Sequence, residues 1–156
     1  MFSEFFTPHN LDIFSQLFLA VILGALIGVE REIAHKSAGM RTHALVALGS
    51  ALFTIVSQAL IAPNIDPTRI AAQIVTGIGF LGAGLIVFDK SKLKGLTTAA
   101  GVWTASAIGM AIGFHMNAVA VFATILTILV FVVLWPIESR FIKRFALPEE
   151  LDDSNG

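Results

Sequence analysis

Five apolar runs, at residues 13–29, 42–62, 70–88, 97–114 and 118–137, occupy most of the chain. Each holds about 17 to 21 residues, the length at which a helix rising 1.5 Å per residue crosses about 30 Å of hydrocarbon. Only 13% of the 156 residues are charged, about half the share in a soluble domain. The chain is 56% hydrophobic with a mean hydropathy of +0.83, more apolar surface than a water-soluble fold of this size can hide. These features predict an all-α, polytopic transmembrane helical bundle of five spans. The spans form one domain over residues 13–138, between an extracytoplasmic segment 1–12 and a short tail 139–156.

The charges orient the spans. Arg31, Lys36 and Arg41 lie between the first two runs, Lys90, Lys92 and Lys94 between the third and fourth, and Arg140, Lys143 and Arg144 after the fifth. With an odd number of spans these nine basic residues share one side, and only Arg69 falls opposite. The asymmetry predicts an N-terminus outside and a C-terminus in the cytoplasm. The opening MFSEFFTPHNLD has Glu4 and Asp12 but no basic residue, the wrong flank for a secretory signal, so the first run is expected to stay as a membrane helix. Phe2, Phe5 and Phe6 are read as resting on the outer interface or as a loose start. The acidic stretch from Glu149 to Asp153 is read as a solvated terminus. His115-Met116-Asn117 is expected to be a hairpin tip, because one helix from 97 to 137 would be about 60 Å long. Trp135 suits an interfacial belt, and Pro136 marks a kink or helix exit.

Within the third run, TGIGFLGAGLI spells G-x-G-x-x-G at Gly77, Gly79 and Gly82, the spacing of a dinucleotide-binding turn. That motif works between a strand and a helix of a βαβ unit, and no such unit surrounds it. At about 100° per residue Gly77 and Gly84 share one side of a helix, with Gly79 and Gly82 on the other. The span is expected to be notched on both sides for close neighbours, the means by which helices associate in lipid. Gly101, Ala105, Gly109 and Gly113 form a second small-residue ladder, and Gly24 with Gly28 a third. Together they predict a core of spans one, three and four. The alternative is that 76–84 is a broken helix whose freed backbone groups line an ion site.

The charged candidates follow the first run and bound the next ones. Glu30 and Arg31, adjacent in sequence, are expected to point apart and need separate partners, with Arg41 facing Glu30 across the hairpin. Glu30, Arg31, Glu32, Arg41 and Asp89 form the candidate functional cluster, read either as a salt-bridged cap or as a charged entrance or docking surface. Thr97, Thr98 and Trp103 make the start of the fourth span unusually polar. Thr97 is a candidate cap, the neighbouring hydroxyls are expected to bond within the helix or across to Gln73 and Thr76, and the Trp103 indole is expected to need a protein partner. His9, His35, His43 and His115 lack metal-ligand spacing, His43 alone entering a span. No nucleophile motif or Walker lysine appears, and the absence of Cys removes thiolate chemistry. No enzyme and no cofactor are expected; Mg²⁺ stays open as a ligand.

GALIGVERE, GMRTHALVALGSALF, GIGFLGAGLI and KGLTTAAGVWTASAIGMAIG, in this order, resemble the membrane domain of the MgtC/SapB family from the first span to the fifth. The resemblance implies a bacterial inner-membrane protein that supports magnesium homeostasis or growth at low Mg²⁺. Members have been described as Mg²⁺ transporters and also as modulators of other membrane machines, including the F-type ATP synthase. It therefore implies contact with the bilayer, a membrane ATPase as partner or self-association, and no nucleic acid. Carried over by position, the family's charged block is Glu30, Arg31 and Glu32, its Arg-Thr entry Arg41 and Thr42, and its glycine block Gly77, Gly79, Gly82 and Gly84. Its Thr-Thr-Ala-Ala-Trp block falls on Thr97, Thr98, Ala99, Ala100 and Trp103. Longer members append a soluble cytoplasmic domain; here the chain ends about eighteen residues after Glu138, and the resemblance is to the bare membrane core.

Overall fold

The first helix begins where the sequence supplies its cap. Thr7 Oγ1 accepts the Asn10 amide at 3.2 Å, and Pro8, with no amide to leave unsatisfied, opens the first turn. The computed structural model describes residues 6–59, 68–89 and 92–137. They form α1 (Pro8–Ile33), α2 (Met40–Ala59), α3 (Thr68–Gly84), a hairpin of β1 (Val87–Asp89) and β2 (Lys92–Lys94), α4 (Leu96–Gly113) and α5 (Asn117–Leu129). A π-helical turn at Val130–Leu134 continues α5. Phe2, Phe5, Lys90, the turn at 63–67, Arg140, Lys143, Arg144 and the acidic tail lie outside the described residues.

Pro8–Ile33, Met40–Ala59, Leu96–Gly113 and Asn117–Ile137 are each long and apolar enough to cross a membrane, while the apolar stretch of α3, Arg69–Gly84, is shorter. The largest boundary differences from the sequence reading lie in the first and third spans, the first helix starting already at Pro8 rather than 13. The first helix does not end at 29 but carries Glu30, Arg31 and Glu32 in its last turns. The third ends at Gly84 rather than 88: the Leu85 and Ile86 amides bond back to Gly82 and Ala83 at 3.1 Å, closing the last turn tightly. Val87, Phe88 and Asp89 then pair antiparallel with Lys94, Leu93 and Lys92. The hairpin returns through Gly95, at φ 93°, where a Cβ would strike the Leu85 carbonyl, so only glycine fits there. At the far end of α4, His115 (φ 59°) turns the chain into α5 through the three residues 114–116.

The core is built from α1, α2 and α4, not from the first, third and fourth spans. A Cβ at Gly24 would stand 2.6 Å from the His43 carbonyl oxygen and 2.9 Å from Ala44 Cα. One at Gly28 would meet the Met40 backbone, and one at Gly109 would lie 2.9 Å from Ala47 Cα. Gly113 faces Thr54 and the Ala51 carbonyl in the same way. The second helix thus lies between α1 and α4, because its own small residues, Ala44, Ala47 and Ala51, complete both contacts. The two-sided clamp expected on the third span is absent among the described residues: a Cβ at Gly77, Gly79 or Gly84 would meet nothing there within 4 Å, and at Gly82 only Ala99, at 3.8 Å. This helix leans on α4 and touches α2 less.

Polarity is arranged inside out. Phe18, Phe80 and Phe122 point outward, while Gln16, Ser50, Thr54, Ser106 and Thr124 are buried. In water so continuous an apolar exterior would be an aggregation surface; in lipid it is the solvent-facing side. The hydroxyls are satisfied internally. Buried Ser50 and Ser106 share a 2.7 Å hydrogen bond between α2 and α4, and buried Thr54 and Thr124, like the more exposed Thr76, Thr104 and Thr127, each donate to the carbonyl four residues earlier. Ser106 therefore takes its partner from α2 instead of from Gln73 or Thr76.

The π turn has a cause in sequence. Pro136 has no amide to bond to the Val132 carbonyl, and its ring crowds that carbonyl. Residues 130–134 widen into the π turn one step before it, and the chain stays helical through 135–137.

Candidate functional site

The charged block GVERE lies at the end of the bundle where α1 passes to α2. The reversal is tight: the His35 and Lys36 amides bond to the Glu32 and Arg31 carbonyls at 3.0 and 2.9 Å, with His35 at φ 54°. Glu32 Oε2 accepts the Met40 amide at 2.9 Å. A carboxylate from the last turn of α1 thus caps the first turn of α2, where the helix dipole favours negative charge.

Arg31 and Glu30 pair with each other, against the expectation of separate partners. Arg31 is 4% exposed, and its Nη2 donates to Glu30 Oε1 at 2.7 Å while its Nε meets Oε2. Adjacent Cβ atoms diverge on a helix, but the long Arg31 stem folds back far enough to reach its neighbour. The guanidinium also lies over the Phe131 ring, 3.7 Å from its centroid. A buried cation is tolerable only when neutralised and hydrogen-bonded; here a carboxylate and an aromatic face do both. Arg41, the expected partner of Glu30, is exposed and borders a polar recess with Glu32, His35 and Lys36.

Gly101 on α4 fixes the depth of this stack. A Cβ there would stand 2.9 Å from Phe131 Cζ and 3.3 Å from His43 Nε2, so the missing side chain makes the notch that both rings enter. His43 is fully buried in the first turn of α2, its Nδ1 3.0 Å from the Gly39 carbonyl. Its Nε2 has no hydrogen-bond partner among the described residues. Beside the stack a cleft of about 880 Å³ opens between the end of α1 and the π turn. Leu26, Val29, Val130, Val132 and Leu134 wall it, and Lys36, Thr97 and Trp135 also line it.

Other expected members stand apart. Asp89 binds Lys94 at 2.6 Å across the β-hairpin, both side chains well exposed. Among the described residues no three histidine or carboxylate side chains converge as metal ligands, Glu30, Glu32 and Asp89 included. Thr97 is exposed and Gly95, not Thr97, holds the cap position of α4; Thr98 is buried. Trp103 does not find an internal partner: it is 50% exposed and makes no hydrogen bond among the described residues.

Sequence reasoning passed over Phe131, whose neighbours are equally apolar; the signal within reach was Pro136, five residues on. It also passed over a polar cluster at the opposite end. There the buried Gln16 donates to Asp12 Oδ2 at 3.1 Å and lies 3.4 Å from His115 Nε2, while Gln58 donates to the Gly113 carbonyl. Asp12 and Gln16 are one helical turn apart, but His115 is 99 residues from Gln16 and Gly113 is 55 from Gln58, and nothing in the sequence joins those.

The MgtC family profile matches residues 17–140. Over 118 residues, 76% of this chain and 49% of the relative, the sequence is 46% identical to "Protein MgtC" of Brucella abortus. It is 49% identical to "Protein MgtC" of Salmonella typhimurium over 110 residues, 70% of this chain and 47% of the relative. It is also 43% identical over 136 residues, 83% of this chain and 63% of the relative, to "Putative magnesium transporter YhiD" of Escherichia coli K12. The chain spans about half to two thirds of the length of these curated relatives. No solved structure matches it.

Proposed function

The chain belongs to the MgtC family and is a multi-pass membrane protein, and from that premise we propose that it is a regulatory protein of the bacterial inner membrane. It supports magnesium homeostasis by docking to another membrane machine such as an ATPase. The observation that carries this reading is the internal use of the charged block. Arg31 is neutralised by Glu30 and covered by Phe131, and Glu32 caps α2. Between α1, α2 and α4 the glycines bring backbones into contact, which among the described residues supports a packed centre rather than a charged path. The basic side is cytoplasmic in this reading, by the positive-inside asymmetry, with 1–12 outside, 13–138 in the membrane and 139–156 as the cytoplasmic tail. Self-association or docking would use α3, where a Cβ at Gly77, Gly79 or Gly84 would meet nothing within 4 Å among the described residues.

A second reading, transport of Mg²⁺ or another ion, is favoured by the name of the Escherichia coli relative. It would require an oligomeric pore or the apolar groove of about 550 Å³ between α2 and α3, whose polar lining groups include Ser50, Gln73 and Ser106. Mg²⁺ flux into liposomes containing the purified chain separates the two readings, run beside low-Mg²⁺ growth of cells carrying Glu30→Gln or Arg31→Gln. Regulation predicts impaired growth with both variants and no flux from any preparation. Saturable Mg²⁺ flux from the unaltered chain, reduced in the variants, would overturn it.

A further inference from the structure

The cleft between the ends of α1 and α5 is amphipathic in a particular order. Its walls are aliphatic, from Val29 on α1 to Val132 and Leu134 in the π turn, and its polar groups are contributed by the last turn of α1, the α1–α2 connection and the start of α4. Glu30 and Arg31 cancel each other. Lys36 has no carboxylate partner among the described residues and is exposed, so the lining carries one uncompensated positive charge. Thr97 adds a hydroxyl, and Trp135, 67% exposed, stands at the side where an interfacial indole belongs. A volume of about 880 Å³ falls in the range of small-molecule sites, roughly 300–1,000 Å³. Water would wet those aliphatic walls poorly, and a soluble anion would leave them uncovered.

We propose that this cleft binds one acidic glycerophospholipid, its phosphate at Lys36 and Thr97 and an acyl chain along Val29, Val132 and Leu134. The charge selects an anionic headgroup, and the walls select a molecule that brings its own hydrocarbon. Phe131 closes the inner end, so the chain lies beside the Arg31–Glu30 pair and adds to the low-dielectric cover of that pair. Lipid occupancy of this cleft is independent of whether the chain regulates or transports.

The test uses the full chain carrying Trp103→Phe, which leaves Trp135 as the single tryptophan. It is reconstituted in phosphatidylcholine vesicles doped with phosphatidylglycerol or phosphatidylcholine bearing brominated acyl chains, which quench indole fluorescence on contact. Brominated phosphatidylglycerol is expected to quench Trp135 with about fivefold higher apparent affinity, the preference one lysine near the headgroups confers. Lys36→Gln, in an exposed connection, should bring the two lipids level. Ala34 also lines the cleft, and Ala34→Phe, which puts a ring into it, should weaken quenching by the acidic lipid, with far-UV circular dichroism checking the fold. Equal quenching by both lipids in the unaltered cleft would overturn the proposal, as would a preference that survives Lys36→Gln or a folded Ala34→Phe. Glycerol phosphate in solution should not displace the lipid; displacement would assign a soluble-anion site and overturn it too. Should Ala34→Phe fail to fold, the Lys36→Gln comparison decides alone.

Discussion

Replacing Gly109 and Gly77 in turn by alanine separates close packing from glycine content. Both lie inside helices of one bundle, so alanine gains about 1 kcal/mol of helix propensity at each. Their surroundings are opposite. At Gly109 the new methyl would stand 2.8 Å from the Ala47 carbonyl carbon and 2.9 Å from its Cα; these are backbone atoms that cannot rotate away. Relief requires α2 and α4 to separate, an overpacking cost of about 1–3 kcal/mol. Separation also stretches the 2.7 Å Ser50–Ser106 hydrogen bond, a kind of contact that contributes about 0.6 kcal/mol in membrane bundles. At Gly77 the methyl meets nothing within 4 Å among the described residues, and only the propensity gain remains. Gly77→Ala is therefore expected to be neutral or up to about 1 kcal/mol more stable, and Gly109→Ala about 0.6–2.6 kcal/mol less stable. Unfolding by sodium dodecyl sulfate in mixed micelles, followed by circular dichroism, measures both. Agreement of the two variants within about 0.5 kcal/mol, the scatter of ordinary surface substitutions, would refute the α2–α4 contact.

The Arg31–Glu30 pair and the Glu32 cap give two further expectations. Arg31→Met alone should destabilise by about 3 kcal/mol by stranding a partly buried carboxylate, and the double variant Arg31→Met/Glu30→Gln should recover much of that loss; an additive double variant in the same unfolding assay would deny the coupling. Glu32→Ala should lower stability by about 1 kcal/mol, as loss of a helix cap does, with Glu32→Gln retaining most of it; equal loss in both would mean that charge, not the hydrogen bond to Met40, is what matters.

The sequence made the helices visible because lipid imposes a length and an apolarity that few other folds share. Tertiary partners were less legible. At Gly24, Gly28, Gly109 and Gly113 the facing helix is α2, whose contribution is alanine, a residue too common to stand out. Four glycines in eight residues drew attention to α3 instead, although small size permits close approach without supplying a neighbour. The β-hairpin was hidden because Val87 and Phe88 read equally well as the end of an apolar run. In the candidate site, type and position were readable for Glu30, Arg31 and Glu32. Their pairing was not, because a flexible arginine reaches a partner that Cβ directions exclude, and Phe131 lies 100 residues from the arginine it covers.

The π turn at Val130–Leu134 also divides the last span into two rotational registers. A π turn holds one residue more than an α turn, so everything after it is rotated by about 100° relative to an uninterrupted helix. A helical wheel drawn through 117–137 consequently assigns Trp135 and Ile137 to the wrong side. The same surplus residue gives the chain some freedom to vary in length. Deleting one position between 130 and 134 would let the turn close to α and leave the phases of α5 and of the segment beyond both intact, whereas the same deletion upstream, with no surplus residue to absorb it, would shift the phase of Ala120 and Thr124 against the rest of the helix.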